Sequence, residues 1–250
     1  MPGFTSGQLK LNYQERGNGF PVVMLHGFGM SAHLCWVANG WLELLSARGF
    51  RAIALDSRGH GLSDKPIVAS EYAAEVMTRD VINLLDHLDI QRAHFIGHSM
   101  GARTAFDIAL KYPERLDSLI GVSVGANLFE HVQPTALIAA LQGADPADLP
   151  PAVVRTVNTL LSVGNKNEAL IACLSSPRPV PRPDDLRSID KPVLVVCGEG
   201  DGLVGHPRVV ASTLPRAQAI VIPNREHTDV LASSELQELV SAFLADGGRA

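Results

Sequence analysis

The stretch Ala93-His94-Phe95-Ile96-Gly97-His98-Ser99-Met100-Gly101-Ala102-Arg103-Thr104-Ala105-Phe106 decides the fold of this chain. A short apolar run that reads as a buried strand ends in Gly97-His98-Ser99-Met100-Gly101. A helix-forming segment, Ala102 to Lys111, follows with no spacer. G-x-S-x-G between a strand and a helix marks a turn tight enough to require glycine on both sides of an exposed serine. A side chain at Gly97 or Gly101 would collide with the turn or the adjoining strand. Ser99 then stands at the positive end of the following helix, where backbone N–H groups can stabilise a developing oxyanion. Ser99 is therefore read as a nucleophile, and the Met100 N–H as the first oxyanion donor.

Outward from this turn, strand and helix signals alternate. Gln8 to Tyr13 alternates polar and apolar residues, as an edge strand would, and Val22 to Leu25 reads as a buried strand. Trp36 to Arg48 reads as a helix stopped by Gly49, and Arg51 to Leu55 as a strand. Ala73 to Leu88 carries Met77, Val81, Leu84, Leu85 and Leu88 at helical spacing. Strands are expected at Leu119 to Val124, Val193 to Cys197 and Ala219 to Ile222, with a last helix near Glu235 to Leu244. Continuous apolar strands separated by helices imply an α/β fold, a mostly parallel sheet covered on both faces.

The alternation breaks once, between Ala126 and Lys191. This segment holds apolar helical patches, Thr135 to Leu141 and Val153 to Leu161, followed by Pro177, Pro179, Pro181 and Pro183. It is too long for a plain loop, and such insertions serve as lids or binding elements. The expected division is a core of residues 1–125 and 192–250 with a cap of residues 126–191. Leu128, Phe129, Val132, Leu137, Leu160 and Leu161 suggest an apolar roof. No arginine is placed by its sequence position to argue for a carboxylate-bearing substrate.

A serine nucleophile needs a base, an acid to orient the base, and oxyanion donors. Nucleophile-elbow enzymes place these in the chain order Ser, acid, His. Three histidines follow Ser99: His131, His206 and His227. His131 falls in the cap and His206 precedes Pro207 at a helix start, whereas His227 lies in a loop just past a strand, where open α/β sheets place their sites. His227 is the expected base. Asp201, in Gly198-Glu199-Gly200-Asp201-Gly202, is preferred over Glu199 as the acid because it lies deeper in a glycine-flanked turn. Asn127 and Glu130 form a runner-up position, and Asp229 reads as a cap or surface group. His26-Gly27-Phe28-Gly29 follows an early strand, which nominates the Phe28 N–H as the second donor. Phe28, His98 and Phe129 are the candidate substrate contacts.

Composition excludes several classes. A net charge of −5 over 250 residues, with no basic block, argues against a nucleic-acid partner. No apolar run reaches membrane-spanning length, and the first residues lack a basic-then-apolar leader. Cys35, Cys173 and Cys197 are far apart and odd in number, so buried thiols in a reducing cytoplasm are expected. His94 and His98 share a strand face without a third ligand, so no metal is expected. Gly27 to Ala32 spells G-x-G-x-x-A, with Asp56 at the end of the next strand, and so mimics a dinucleotide fingerprint. That reading leaves Ser99, Asp201 and His227 without a role, and no cofactor is expected.

Together Leu25-His26-Gly27-Phe28-Gly29, Asp56-Ser57-Arg58-Gly59-His60-Gly61-Leu62-Ser63, the Ser99 turn, Gly198-Glu199-Gly200-Asp201 and Glu226-His227-Thr228 resemble the α/β-hydrolase family, more closely its serine esterase and C–C hydrolase branches. The resemblance implies an eight-stranded sheet, a cap after the sixth strand, and acyl transfer to water through an acyl-serine. It implies bracing roles for Asp56 and Arg58. Serine rather than aspartate at the nucleophile position disfavours epoxide hydrolase and haloalkane dehalogenase chemistry. The expected substrate is a small, fairly apolar ester. A diketone cleaved at a C–C bond or a lactone would use the same triad, and a receptor-like binding protein on the same fold is the alternative outside enzymes.

Overall fold

The central strands are apolar on both faces, and their residues divide between two cores by simple alternation. In strand β3 (Phe20–Leu25), Val23 and Leu25 enter one core while Val22 and Met24 enter the other. Strand β7 (Val193–Gly198) does the same, with Val193 and Val195 opposite Leu194 and Val196. Each such fully buried side chain contributes roughly 1.5–3 kcal/mol of burial energy. The structure is a computed structural model that describes residues 2–131 and 133–247. Val132, expected in the roof of the cap, lies outside the described residues.

The remaining strands are β1 (Gly3–Ser6), β2 (Leu9–Arg16), β4 (Phe50–Leu55), β5 (Ala93–His98), β6 (Leu116–Val122) and β8 (Ala217–Ile222). All eight form one sheet in the order β1-β2-β4-β3-β5-β6-β7-β8. Strands β3 to β8 run parallel to one another, and β2 pairs antiparallel with both β1 and β4. One face is covered by α1 (Trp41–Ala47) and α8 (Ser234–Ala245), the other by α2 (Ala74–His87), α3 (Met100–Lys111) and α7 (Arg208–Ala211). From β3 the chain crosses to β4 on one side and returns to β5 on the other. The loops after β3 and β5 therefore face each other at a topological switch point, the expected place for a site.

Between β6 and β7 the chain forms α4 (Thr135–Leu141), α5 (Pro151–Ser162) and α6 (Asn167–Ser175), then an irregular return through the prolines. Leu141, Val157, Leu160 and Leu170 make a small core of their own, with Leu137 and Phe28 packed against it. Helix α6 is absent from the sequence expectation because Ala169 to Leu174 is apolar throughout, which hides the helical period. Of the expected roof, Leu128 joins the main core and Leu161 is exposed.

Two expectations about the first half change. The edge of the sheet is β1, not the Gln8 to Tyr13 segment. Gly7, at φ 62°, closes a two-residue hairpin that adds a four-residue strand too short to show a pattern. The helix expected over Trp36 to Arg48 is two pieces. His33–Val37 is one wide turn, after which Gly40 at φ 75° breaks the path before α1. The Asn39 amide donates to the Leu34 and Cys35 carbonyls at 3.1 and 3.0 Å, which satisfies the end of that turn.

Candidate active site

Strand β5 ends at His98 and α3 begins at Met100, leaving Ser99 alone to make the turn. Its backbone sits at φ 52°, ψ −108°, a conformation that costs a non-glycine residue on the order of 1–3 kcal/mol. The Ser99 N–H donates to Val122 O at 2.9 Å, and Ser99 O accepts from Arg103 N at 3.1 Å. A Cβ at Gly97 would lie 2.5 Å from the Ala102 backbone, and one at Gly101 would lie 2.2 Å from Leu25 O. Both glycines are thus steric requirements of the turn.

The loops after β7 and β8 bring the other two side chains to Ser99. The Ser99 hydroxyl and His227 Nε2 are 3.0 Å apart, and His227 Nδ1 lies 2.9 Å from Asp201 Oδ2. The carboxylate accepts from Nδ1–H, which leaves Nε2 unprotonated and facing the Ser99 hydroxyl. The Asp201 side chain is fully enclosed, whereas His227 is 23% exposed. Burial pushes the Asp201 carboxyl up, but the hydrogen bond and charge of His227, the Leu203 N–H and the neighbouring Ser123 side chain outweigh it and hold it below the usual range. A Cβ at Gly198 would lie 2.2 Å from Arg225 O, so that glycine lets the acid and base loops touch.

Two residues that the sequence reading did not assign to this role lock the base loop. Ser123, at φ 51° just past β6, donates its hydroxyl to His227 O at 2.8 Å. His98 Nε2 donates to the same carbonyl at 2.8 Å. This corrects the expectation that His98 touches substrate: it is only 1% exposed and lies beneath the base. Burial, and then the neighbouring His227, push His98 down to about 4, so the ring is neutral and its Nδ1 is a buried acceptor without a partner. A Cβ at Gly27 would come within 2.6 Å of that atom. Phe129 also departs from its expected place, packing against the core that contains Phe106 and Val210 rather than beside Ser99.

Phe28 lies between the small core of α4, α5 and α6 and the cluster that contains Met100. Among the described residues, neither the Phe28 nor the Met100 N–H donates to a backbone carbonyl. The loop carrying Phe28 is braced from below. Asp56 Oδ1 accepts from Ala32 N at 2.7 Å and Oδ2 from Leu62 N at 2.9 Å, tying the loop after β3 to the loop after β4. Both carboxylate oxygens are engaged by the protein itself, against the ribose-binding role in the dinucleotide reading. His26 donates from Nδ1 to Gly27 O at 2.8 Å and accepts from Ser57 N at 3.0 Å. Arg58 grips Asp80 through Nε and Nη2 at 2.6 and 2.7 Å.

The competing residues have other duties. Glu199 accepts from Asn224 N at 3.2 Å, holding the turn before His227. His206 is exposed and accepts from Arg208 N at 3.2 Å, His131 is exposed, and Asp229 accepts from Glu226 N at 2.5 Å. Asn127 Oδ1 accepts from Gly125 N at 3.2 Å, and Glu130 is exposed. His94 bonds Ser118 at 2.8 Å and lies against the Phe20 ring, so it and His98 have separate partners. The three cysteines are buried free thiols. No helix among the described residues is long and apolar enough to cross a membrane.

Known proteins carry the same framework. A 2-hydroxy-6-oxononadienedioate/2-hydroxy-6-oxononatrienedioate hydrolase of Paraburkholderia xenovorans is 40% identical over 55% of this chain and 48% of its own length. The chain thus spans about half of that relative. A 2-(acetamidomethylene)succinate hydrolase of Mesorhizobium japonicum is 29% identical over 88% of this chain and 86% of its own. The solved structure of a thermophilic esterase from Thermogutta terrifontis superposes with a TM-score of 0.78 at 25% identity, covering 98% of this chain and 96% of that one. The family model described as alpha/beta hydrolase fold matches residues 21–159, and with the eight-stranded sheet this places the chain in the α/β-hydrolase fold family.

Proposed function

We propose that this chain is a serine hydrolase that cleaves a carboxylic ester through an acyl-Ser99 intermediate. The observation that carries the reading is the continuous Ser99–His227–Asp201 hydrogen-bond chain, 3.0 and 2.9 Å, at the switch point of the sheet. Ser99 Oγ attacks the carbonyl carbon as His227 Nε2 takes its proton. The tetrahedral oxyanion is held by the Phe28 and Met100 N–H groups, each worth about 3 kcal/mol in comparable sites. His227 then protonates the departing alcohol. Water, deprotonated by the same nitrogen, attacks the acyl carbon and releases the acid and free Ser99. Asp201 holds the ring in the required tautomer and stabilises the imidazolium. None of these steps calls for a cofactor.

A fluorophosphonate should label Ser99 stoichiometrically, and Ser99→Ala should lose both labelling and hydrolysis of 4-nitrophenyl acetate and butyrate. Full activity in Ser99→Ala would sink the reading. A second substrate class, a diketone cleaved at a C–C bond, is favoured by the hydrolase relative at 40% identity. Turnover of a dienoic diketone with no turnover of esters would select it.

A further inference from the structure

The loop after β3 closes on itself where Met30 N donates to Gly27 O at 3.1 Å. Of these four residues only Gly29 has a positive φ, 71°, the pattern of a type II turn with Phe28 and Gly29 at its corners. The peptide units are planar and trans, so each carbonyl points opposite to the N–H that follows it. Fixing Gly27 O therefore fixes the direction of the Phe28 N–H. Fixing Gly29 O does the same for the Met30 N–H.

Side chains hold both carbonyls. His26 Nδ1 donates to Gly27 O at 2.8 Å, in the tautomer enforced by the Ser57 N–H at its Nε2. Asn165, between α5 and α6, donates from Nδ2 to Gly29 O at 2.6 Å and to Leu160 O at 2.9 Å. Both partners are carbonyl oxygens, so the amide nitrogen and not its oxygen must face them. Leu160 O is among the carbonyls that the end of α5 leaves unpaired, so one amide closes that helix and grips the turn 136 positions away. The bonds join into one line. Asn165 meets Gly29 O, the Met30 N–H of that peptide meets Gly27 O, and the Phe28 N–H of the next is left for the oxyanion. Amide hydrogen bonds in series polarise one another, which makes the terminal N–H a stronger donor. Leu160, only 6% exposed, stands directly over Gly29 and shields the head of the line from water.

We infer that Asn165 is a positioning residue for the oxyanion donor, aiming and polarising the Phe28 N–H through the two intervening peptide units. The inference rests on the serine-hydrolase reading for the oxyanion, and on the line of hydrogen bonds alone for the coupling. Its consequence is that the seating of α5 and α6 on the Gly29 turn sets the rate of the chemical step.

Two measurements separate the parts. The first uses Asn165→Asp, which keeps the size of the side chain and replaces its donor with an acceptor. Its kcat on 4-nitrophenyl butyrate should fall about tenfold, a fraction of the loss on deleting an oxyanion donor outright, with KM within about twofold. The affinity of an aliphatic trifluoromethyl ketone, whose adduct with Ser99 carries the oxyanion, should fall by the same factor as kcat. Asn165→Gln, a donor on a longer arm, should recover part of both. Asn167→Ala removes an amide that holds only Leu141 O, at 3.0 Å, and should change neither. An unchanged kcat in Asn165→Asp, or a raised KM as its sole effect, overturns the inference. The second measurement needs no substrate. Hydrogen exchange of the Met30 amide, followed by NMR, should quicken about tenfold in Asn165→Asp while amides inside α3 keep their rates. An unchanged Met30 rate overturns the coupling whatever the activity. Wild-type protein inert toward esters and fluorophosphonates sinks the hydrolase reading and the oxyanion role with it, and the exchange rate still decides whether Asn165 holds the turn.

Discussion

Ser123 shows how much of the site depends on one hydroxyl. It donates to His227 O and lies close enough to Asp201 to favour its charged form, so it links the two loops that carry them. Ser123→Ala should lower kcat by about tenfold, the worth of one buried hydrogen bond, with little change in KM. Steady-state kinetics on a 4-nitrophenyl ester check the split. The acid itself is tested by contrast. Asp201→Asn should cost about 10⁴-fold in kcat, because the amide favours the wrong tautomer of the base. Glu199→Gln, whose carboxylate only holds the Asn224 turn, should stay within about threefold. The reverse ranking would reassign the acid.

At the scale of elements, the loops are positioned by close backbone contacts that admit no side chain. Gly198→Ala should push the Arg225 carbonyl aside and carry His227 away from Ser99. The expected outcome is loss of fluorophosphonate labelling with an unchanged far-ultraviolet circular dichroism spectrum. The segment of α4 to α6 is anchored in a similar way. Asn165 Nδ2 donates to Gly29 O at 2.6 Å, and the Leu160 side chain fills the space where a Gly29 Cβ would stand, 1.9 Å away. Leu160→Ala should cost roughly 2–5 kcal/mol of packing at that anchor. Its signature is faster proteolysis within α5 and a raised KM, both measurable on purified protein.

For the whole molecule, buried histidines set the response to acid. His98 is pushed down to about 4 and His60 to about 3, both chiefly by burial, from an ordinary value of 6.5. The unfolded chain therefore takes up these protons first as pH falls. Their contribution is fully present above pH 6.5 and is lost progressively below it, toward 4 and 3. At pH 5 each histidine should cost roughly 2 kcal/mol relative to pH 7. The urea midpoint should fall accordingly between those two values, and His60→Gln should flatten the dependence. A midpoint independent of pH over this interval would contradict the burial argument.

Strands of the central sheet were legible because β3 and β7 are largely continuous apolar runs and β5 has an apolar centre, and the elbow because glycine is forced on both sides of Ser99. The order Ser99, Asp201, His227 and the strand ends that carry them could also be read from the chain. Strand β1 was not, because four residues are too few for a pattern. Helix α6 was hidden because Ala169 to Leu174 is apolar throughout and shows no period. His98 was misplaced because sequence cannot tell a side chain lining a pocket from one lying beneath it.

What the amino-acid sequence determined by itself is the set of local necessities: where the backbone must turn, which strands are buried on both faces, and which residue types stand at strand ends. Tertiary structure alone decided the distances. Ser99 and His227 are 128 positions apart and meet only because β5 and β8 lie in one parallel sheet. Ser123 became a support for the base, and Asn165 a support for the Gly29 turn, for the same physical reason. A hydrogen bond is a relation between groups that the fold brings together, and no pattern along the chain encodes it.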